Sequence, residues 1–402
     1  MKESILAKLR RVRIGDVGHF FLFLLALLPA AIYKRKRKHL WLLCEYAMEA
    51  QDNAFALFRH LRTAHPEIDA VYAIHRRSPA YETVAAIGPV VPFGSLRHWI
   101  YYLAAEVNIS SQKGGKPNAP VCYLLEVVLG WLKNRRVFLQ HGVTMNDLPF
   151  LHAENAKLSL FCCAAKPEYE FIRDTFGYPD GVVRYTGFCR FDDLLGAEPD
   201  PSLVLILPTW RMWLERACRT DAAFSESVYY RSWNAFLSDP ALDALLKRTG
   251  KRAIFCVHRN MSRFETCFRA ASDRIEIKRW NEVSVPELLK KAAVLVTDYS
   301  SVHMDFAFMK KPVVCFQFDR EAFREGHLPS GYFDFERDGF GPIAETVPDA
   351  IGALSGVIEN DCRMAAEYGE RVDRFFTLRD DQSSERTTEA IREMVKQQCK
   401  KS

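Results

Sequence analysis

Between Val294 and Asp319 the chain reads VLVTDYSSVHMDFAFMKKPVVCFQFD, and this stretch limits the choice of fold more than any other. VLVT is a β-branched apolar run of strand length. Asp298, Ser300 and Ser301 supply helix-capping chemistry, and Val302, Phe306 and Met309 recur at helical spacing before Pro312 closes the helix. PVVCFQF is a second buried strand. A strand, helix, strand unit of this length predicts a parallel pair in an α/β sheet. Its turn has two readings. Two hydroxyls beside the unpaired N–H groups of a helix start suit a phosphate. Alternatively, Ser300 and Ser301 only cap the helix.

A chain of 402 residues predicts two domains of similar size. Strand candidates at 40–44, 70–74, 89–93, 107–110, 137–139, 160–163 and 182–185, separated by helix-like segments such as 53–62, predict a doubly wound, Rossmann-like domain over 39–198. GAEPDPS at 196–202 has turn composition and reads as the linker. The pattern repeats over 199–402, with strands at 203–207, 253–257 and 294–296.

Ligands of such sheets bind at the carboxyl ends of the strands, so the residues there matter most. After LWLLC come Glu45, Glu49, Asp52 and Asn53, where Asp52 caps a helix and Glu45 is solvated. After VFL come Gln140, His141 and Gly142. His141 is placed for acid–base chemistry beside a glycine that permits close approach, or it is a satisfied loop residue. In the second domain three strands deliver Arg211, His258 with Arg259, and Asp298 with Ser300 and Ser301 to one edge. An arginine, a histidine and a helix start in one crevice would neutralise a diphosphate. The chain has no D-x-D pair for a divalent metal, no CxxC pair, no GxGxxG and no P-loop. The eleven scattered cysteines read as reduced core residues of a cytosolic protein.

The charge is uneven. Residues 1–38 carry ten Lys/Arg against Glu3 and Asp16, a net +8, which leaves −3 of the total +5 for the rest. A globular part that is not basic argues against nucleic acid as a partner. The basic residues flank an apolar run, FFLFLLALLPAAIY at 20–33, shorter than the ~20 residues that span a bilayer. Residues 1–38 therefore read as a monotopic anchor for an anionic membrane surface, separable from the catalytic part. The competing reading is a helix buried against the first domain.

The motifs LLCEYAMEAQDNAFALFRHL (42–61), FLQHG (138–142), LPTWR (207–211), TDYSSVHMDFAFMKKPVV (297–314) and SGYFDFERDGFGPIAET (330–346) together resemble the CDP-glycerol glycerophosphotransferase family, the teichoic-acid-type polyol-phosphate transferases of bacterial envelopes. The resemblance spans about 38–344. It implies two Rossmann-like domains facing a cleft, as in glycosyltransferases of the GT-B type, with an N-terminal membrane-associated helix. It implies transfer of glycerol phosphate or a related polyol phosphate from a CDP-alcohol to a hydroxyl of a lipid-linked or cell-surface glycan, with release of CMP, no metal and no cofactor, at the cytoplasmic face of the membrane. By the same resemblance His141 matches the base and His258 a second active-site histidine that contacts the donor. Arg211, Ser300 and Ser301 match donor-phosphate positions, and Asp298 the aspartate of that loop. Glu45, Asp52, Asn53, Gln140 and Gly142 fall on the acceptor side. The chain departs from the family's usual HGTPLK with His141-Gly142-Val143-Thr144-Met145-Asn146, and from its usual proline after the second histidine with Arg259. A GT-B glycosyltransferase using a nucleotide sugar, and a non-catalytic membrane-bound scaffold, are the alternatives.

Overall fold

The computed structural model describes residues 13–218, 220–326 and 329–399. Seven strands form one sheet: β1 (Leu40–Cys44), β2 (Asp69–Ile74), β3 (Val90–Pro92), β4 (Val107–Ser110), β5 (Arg135–Phe138), β6 (Leu160–Cys163) and β7 (Val183–Tyr185), in the order β3-β2-β1-β4-β5-β6-β7. Six form a second: β8 (Asp200–Leu207), β9 (Arg252–Cys256), β10 (Ile275–Lys278), β11 (Ala292–Thr297), β12 (Val313–Phe316) and β13 (Ile343–Ala344), in the order β10-β9-β8-β11-β12-β13. All pairings are parallel. Every residue of LWLLC and of AAVLVT is buried, because helices cover both faces of each sheet. Strand order reverses between β1 and β4 in one sheet and between β8 and β11 in the other. Those two switch points place the crevices.

Both halves are doubly wound, as the strand pattern predicts. Two strands escape that pattern. IEIK in β10 is an edge strand with one buried residue, and β13 is only two residues long. With α1 the N-terminal helix Ile14–Lys36, the helix after β11, α2 (Val302–Phe308), stops four residues short of Pro312. Lys310 turns the chain with a left-handed φ of 55°, and Pro312 already leads into β12.

The expected second domain, 199–402, is corrected at its end. The helix α3 (Ser383–Cys399) returns to the first sheet, where Ala390, Ile391 and Met394 join the core around Leu57 and Leu61. Its start is capped from the first domain, since Asp192 accepts from the N–H groups of Ser383 and Ser384 at 2.8 Å each. His60 and His65 add a polar clasp on Glu385 at 3.0 and 2.7 Å.

The N-terminal apolar run is part of a longer helix, α1 (Ile14–Lys36). Residues 1–12, with Lys2, Lys8, Arg10 and Arg11, lie outside the described residues. One face of α1 is built into the first domain. Phe23 and Ala26 sit in the core with Trp99, His19 accepts from Trp99 Nε1 at 3.2 Å, and Tyr33 and Tyr101 share a 2.7 Å hydroxyl contact. The other face leaves Phe21, Leu25 and Leu28 60%, 63% and 72% exposed. The segment is thus not the separable anchor expected from sequence. The buried-helix reading holds for one face, and the other is exposed apolar surface.

Candidate active site

A cleft of about 590 Å³ lies between the carboxyl edges of the two sheets. His141 and Arg190 line it on one side, and His258, Arg259, Ser300 and Ser301 on the other.

The first wall is organised by Asn53, which is fully buried. Its Nδ2 donates to the carbonyls of Gln140 at 2.8 Å and Leu139 at 3.4 Å, and its Oδ1 accepts from Arg190 N at 3.1 Å. Gln140 follows β5 with a left-handed φ of 62°, a strained conformation for a side chain of its size. Its amide is locked: Nε2 donates to Cys162 O and Glu168 Oε1, and Oε1 accepts from the Thr144 hydroxyl at 2.6 Å. This turn throws His141 out of the strand line and into the cleft. There solvent reaches the ring, although protein walls surround it closely. That enclosure, with the charges of Arg190 and Arg259 and against Glu49, pushes its pKa down to about 4. His141 is a neutral imidazole at neutral pH.

Glu45 does not reach the cleft. It is buried, and its carboxylate accepts from the N–H groups of Gln51, Asp52 and Phe55 at 3.0, 3.1 and 2.8 Å. Burial, then the neighbouring Asp52, raise its pKa to about 8. Its role is to hold the loop after β1, not the solvated position expected. Asp52 does line the cleft. It caps the following helix through Asn53 N and pairs with Arg190 at 3.0 Å.

On the second wall the expectation that Arg211 and Asp298 hold donor phosphate is corrected. Both are wholly buried behind the wall. The Arg211 guanidinium is spent on Asp298 at 2.9 Å, Asp319 at 2.8 and 3.0 Å, and the Thr209 carbonyl at 2.8 Å. Tyr229, Tyr299, Phe318 and Phe323 surround it, with Cζ 5.0 to 5.7 Å from their ring centres. Arg211, Asp298 and Asp319 are shut off from solvent where β8, β11 and β12 end, so the two carboxylates need an internal cation, which the aromatic faces also stabilise.

Ser300 and Ser301 stay on the cleft wall. Ser301 makes no capping bond through its side chain, and Ser300 Oγ accepts only a long 3.5 Å contact from Val302 N. Capping therefore does not explain them. His258 stands at the exit of β9, its Nδ1 accepting from Asn260 N at 3.2 Å, which puts the proton of the neutral ring on Nε2. Trp210 lies nearly parallel to it at 6.2 Å, and Trp280 is tilted against it at 5.6 Å.

Sequence reasoning missed these two tryptophans, although Trp210 stands inside LPTWR. It also missed the Arg190 bridge, which runs from Asp52 at 3.0 Å to Asp305 of α2 at 2.8 Å and so joins the two walls. Asp305 was legible: it is four residues after Ser301 and shares its helix face. Arg190 follows a strand end with no motif around it.

A sequence model described as CDP-Glycerol:Poly(glycerophosphate) glycerophosphotransferase matches residues 177–393, just over half of the chain. The minor teichoic acid biosynthesis protein GgaB of Bacillus subtilis (strain 168) is 29% identical over 368 residues, which cover 89% of this chain and 40% of that protein. The teichoic acid poly(glycerol phosphate) polymerase of the same strain is 27% identical over 197 residues, 49% of this chain and 24% of its own length. The chain thus spans well under half of these curated relatives. The solved structure of the wall teichoic acid polymerase TagF aligns with 98% of this chain and 100% of its own, with a TM-score of 0.64 at 16% identity, a likeness of fold. A variant of TagF has also been solved after a soak with CDPG.

Proposed function

The chain belongs to the CDP-glycerol:poly(glycerophosphate) glycerophosphotransferase family, and from that premise we propose that it transfers glycerol phosphate, or a related polyol phosphate, from a CDP-alcohol to a hydroxyl of a lipid-linked or cell-surface glycan. The observation that carries this reading is the convergence of His141, His258, Ser300 and Ser301 on one cleft between two sheet edges.

In this mechanism the donor diphosphate lies against Ser300, Ser301 and His258. The acceptor hydroxyl enters from the first domain. His141 takes its proton while the oxygen bonds to the β-phosphorus. The bond from that phosphorus to the bridging oxygen breaks, and CMP leaves with the electron pair. A base with a pKa near 4 is weak. Donor phosphate placed among Arg190, Arg259 and His141 offsets the cationic field and raises it toward the useful range.

The exposed face of α1 supports a place at the membrane. Within Gly15–Lys36 an 18-residue window reaches a mean hydropathy of 1.8, enough by length and composition to cross a bilayer. With one face committed to the protein, the other is suited to lie in the interface. Lys34, Arg35, Lys36 and Lys38 would meet anionic headgroups at the cytoplasmic surface.

The test is CMP release by the full chain from CDP-glycerol, with a glycerol-phosphate-primed acceptor on anionic vesicles. His141→Ala should lower turnover by at least about a hundredfold and leave CDP affinity unchanged. Release of a nucleoside diphosphate from a nucleotide sugar would make the protein a glycosyltransferase instead. No heat of binding with CDP would make it a scaffold.

A further inference from the structure

With Arg211 turned inward, the donor diphosphate needs another cation. Among the described residues four basic side chains line the cleft: Arg59, Arg190, Arg259 and Lys290. Arg190 is shared between two carboxylates, Asp52 and Asp305. Arg59 pairs with Asp193 within the first domain, and Lys290 with Glu287 on its own helix at 3.2 Å.

Arg259 differs from these. It directly follows His258, its side chain is 42% exposed, and the carboxylate it meets, Glu49, comes from the opposite wall at 2.8 Å. Tyr46, also of the opposite wall, lies under the guanidinium at 5.3 Å. All three line the cleft. A partly exposed ion pair of this kind contributes little, whereas a guanidinium grips a phosphate with two parallel hydrogen bonds.

We infer that Arg259 is the phosphate-binding arginine of this cleft, and that it exchanges Glu49 for the donor diphosphate when the CDP-alcohol binds. The inference takes its ligand from the reading above. Glu49 then acts as a built-in competitor: it holds the guanidinium in place and must give it up. The exchange keeps Arg259 in place and adds the negative charge of the phosphate beside His141, which strengthens the imidazole as a base only when donor is present.

The experiment is calorimetry on the full-length protein with CDP-glycerol, CDP, pyrophosphate and cytidine. Arg259→Gln should weaken CDP-glycerol, CDP and pyrophosphate at least about tenfold and leave cytidine unchanged. Glu49→Gln should tighten the three phosphate ligands by about three- to tenfold, and this gain should vanish in the double variant. Both positions are open enough for melting curves to stay near the wild type. If the bridge were only a strap between domains, both variants would break the same contact and move affinity in the same direction. That result overturns the inference, as does an Arg259→Gln variant that binds CDP normally. If wild-type protein binds pyrophosphate with these opposite responses but ignores CDP-glycerol, Arg259 keeps its role and the CDP-alcohol reading falls. If it binds none of the phosphate ligands, both fall.

Discussion

Gly142 packs against Ser301 across the cleft: a methyl group on Gly142 would lie 2.8 Å from Ser301 Oγ and 3.3 Å from its Cβ. The loop that carries the candidate base and the turn that carries the candidate phosphate hydroxyls are therefore in contact. Gly142→Ala must turn the Ser301 hydroxyl aside and press its Cβ back by a few tenths of an ångström. Displacements near 1 Å can cost about a hundredfold in rate, so kcat should fall by about ten- to a hundredfold, with a melting temperature close to the wild type. Steady-state CMP release and a melting curve check this. Unchanged kcat would mean that the two loops do not have to meet for the reaction.

Much of this arrangement was legible in sequence, for a physical reason. Strands buried on both faces write themselves as apolar runs, and polar residues just past such runs fall at the sheet edge. His141, His258, Ser300 and Ser301 were found in that way. Arg211 was misplaced by the same logic. Strand-end position tells which edge a residue occupies, not whether its side chain points to solvent or back under the sheet. What decided its direction were Asp298 and Asp319, the second of them more than a hundred residues away in sequence. The return of α3 to the first domain was hidden for a similar reason, since an amphipathic helix does not state which core it covers.

The charge pairing of the cleft leads to a prediction about metals. Its wall carries five carboxylates: Glu49, Asp52, Asp193, Glu287 and Asp305. Each is engaged by an arginine or a lysine. A divalent ion would have to displace at least one of these cations to gain two carboxylate ligands. EDTA should therefore leave CMP release largely intact. Loss of activity in EDTA, restored by magnesium, would show that the phosphates are handled by metal.

Acid should expose the cost of buried neutral imidazole. Burial pushes the pKa of His303 down to about 4, against the opposing pull of the Ser300 carbonyl, which accepts from its Nδ1 at 2.6 Å. In the unfolded chain a histidine titrates near about 6.5. Between these values the unfolded state binds the extra proton. The contribution is complete above about pH 6.5 and is lost as pH falls toward 4, at up to about 1.4 kcal/mol per pH unit. Glu45 and Glu168, raised to about 8 and about 7, act in the opposite sense over the same range. The clean measurement is thus the difference between wild type and His303→Asn in urea at about pH 7.5 and about pH 5. The wild type should lose stability relative to the variant on acidification. Parallel pH profiles would mean that His303 is not held neutral.

The two faces of α1 predict opposite results from two kinds of variant. Phe23 and Ala26 belong to the core around Trp99, and Tyr33 and Arg37 tie the helix to Tyr101 and Asp69. Removing residues 1–38 strips these contacts. The loss of Phe23 alone should cost about 3–5 kcal/mol. The truncated protein should melt far below the full chain or aggregate, whatever its effect on membranes. Phe21, Leu25 and Leu28 face outward, so replacing all three by serine removes apolar surface that is mostly exposed. That variant should keep its melting temperature and its activity on a soluble acceptor analogue. It should lose sedimentation with anionic vesicles, because side-chain insertion of about 1.5–3 kcal/mol per large apolar residue goes with it. A vesicle sedimentation assay beside melting curves of both variants separates the two faces. Should the triple-serine protein still sediment like the wild type, the outward face of α1 is not what holds this protein to a membrane.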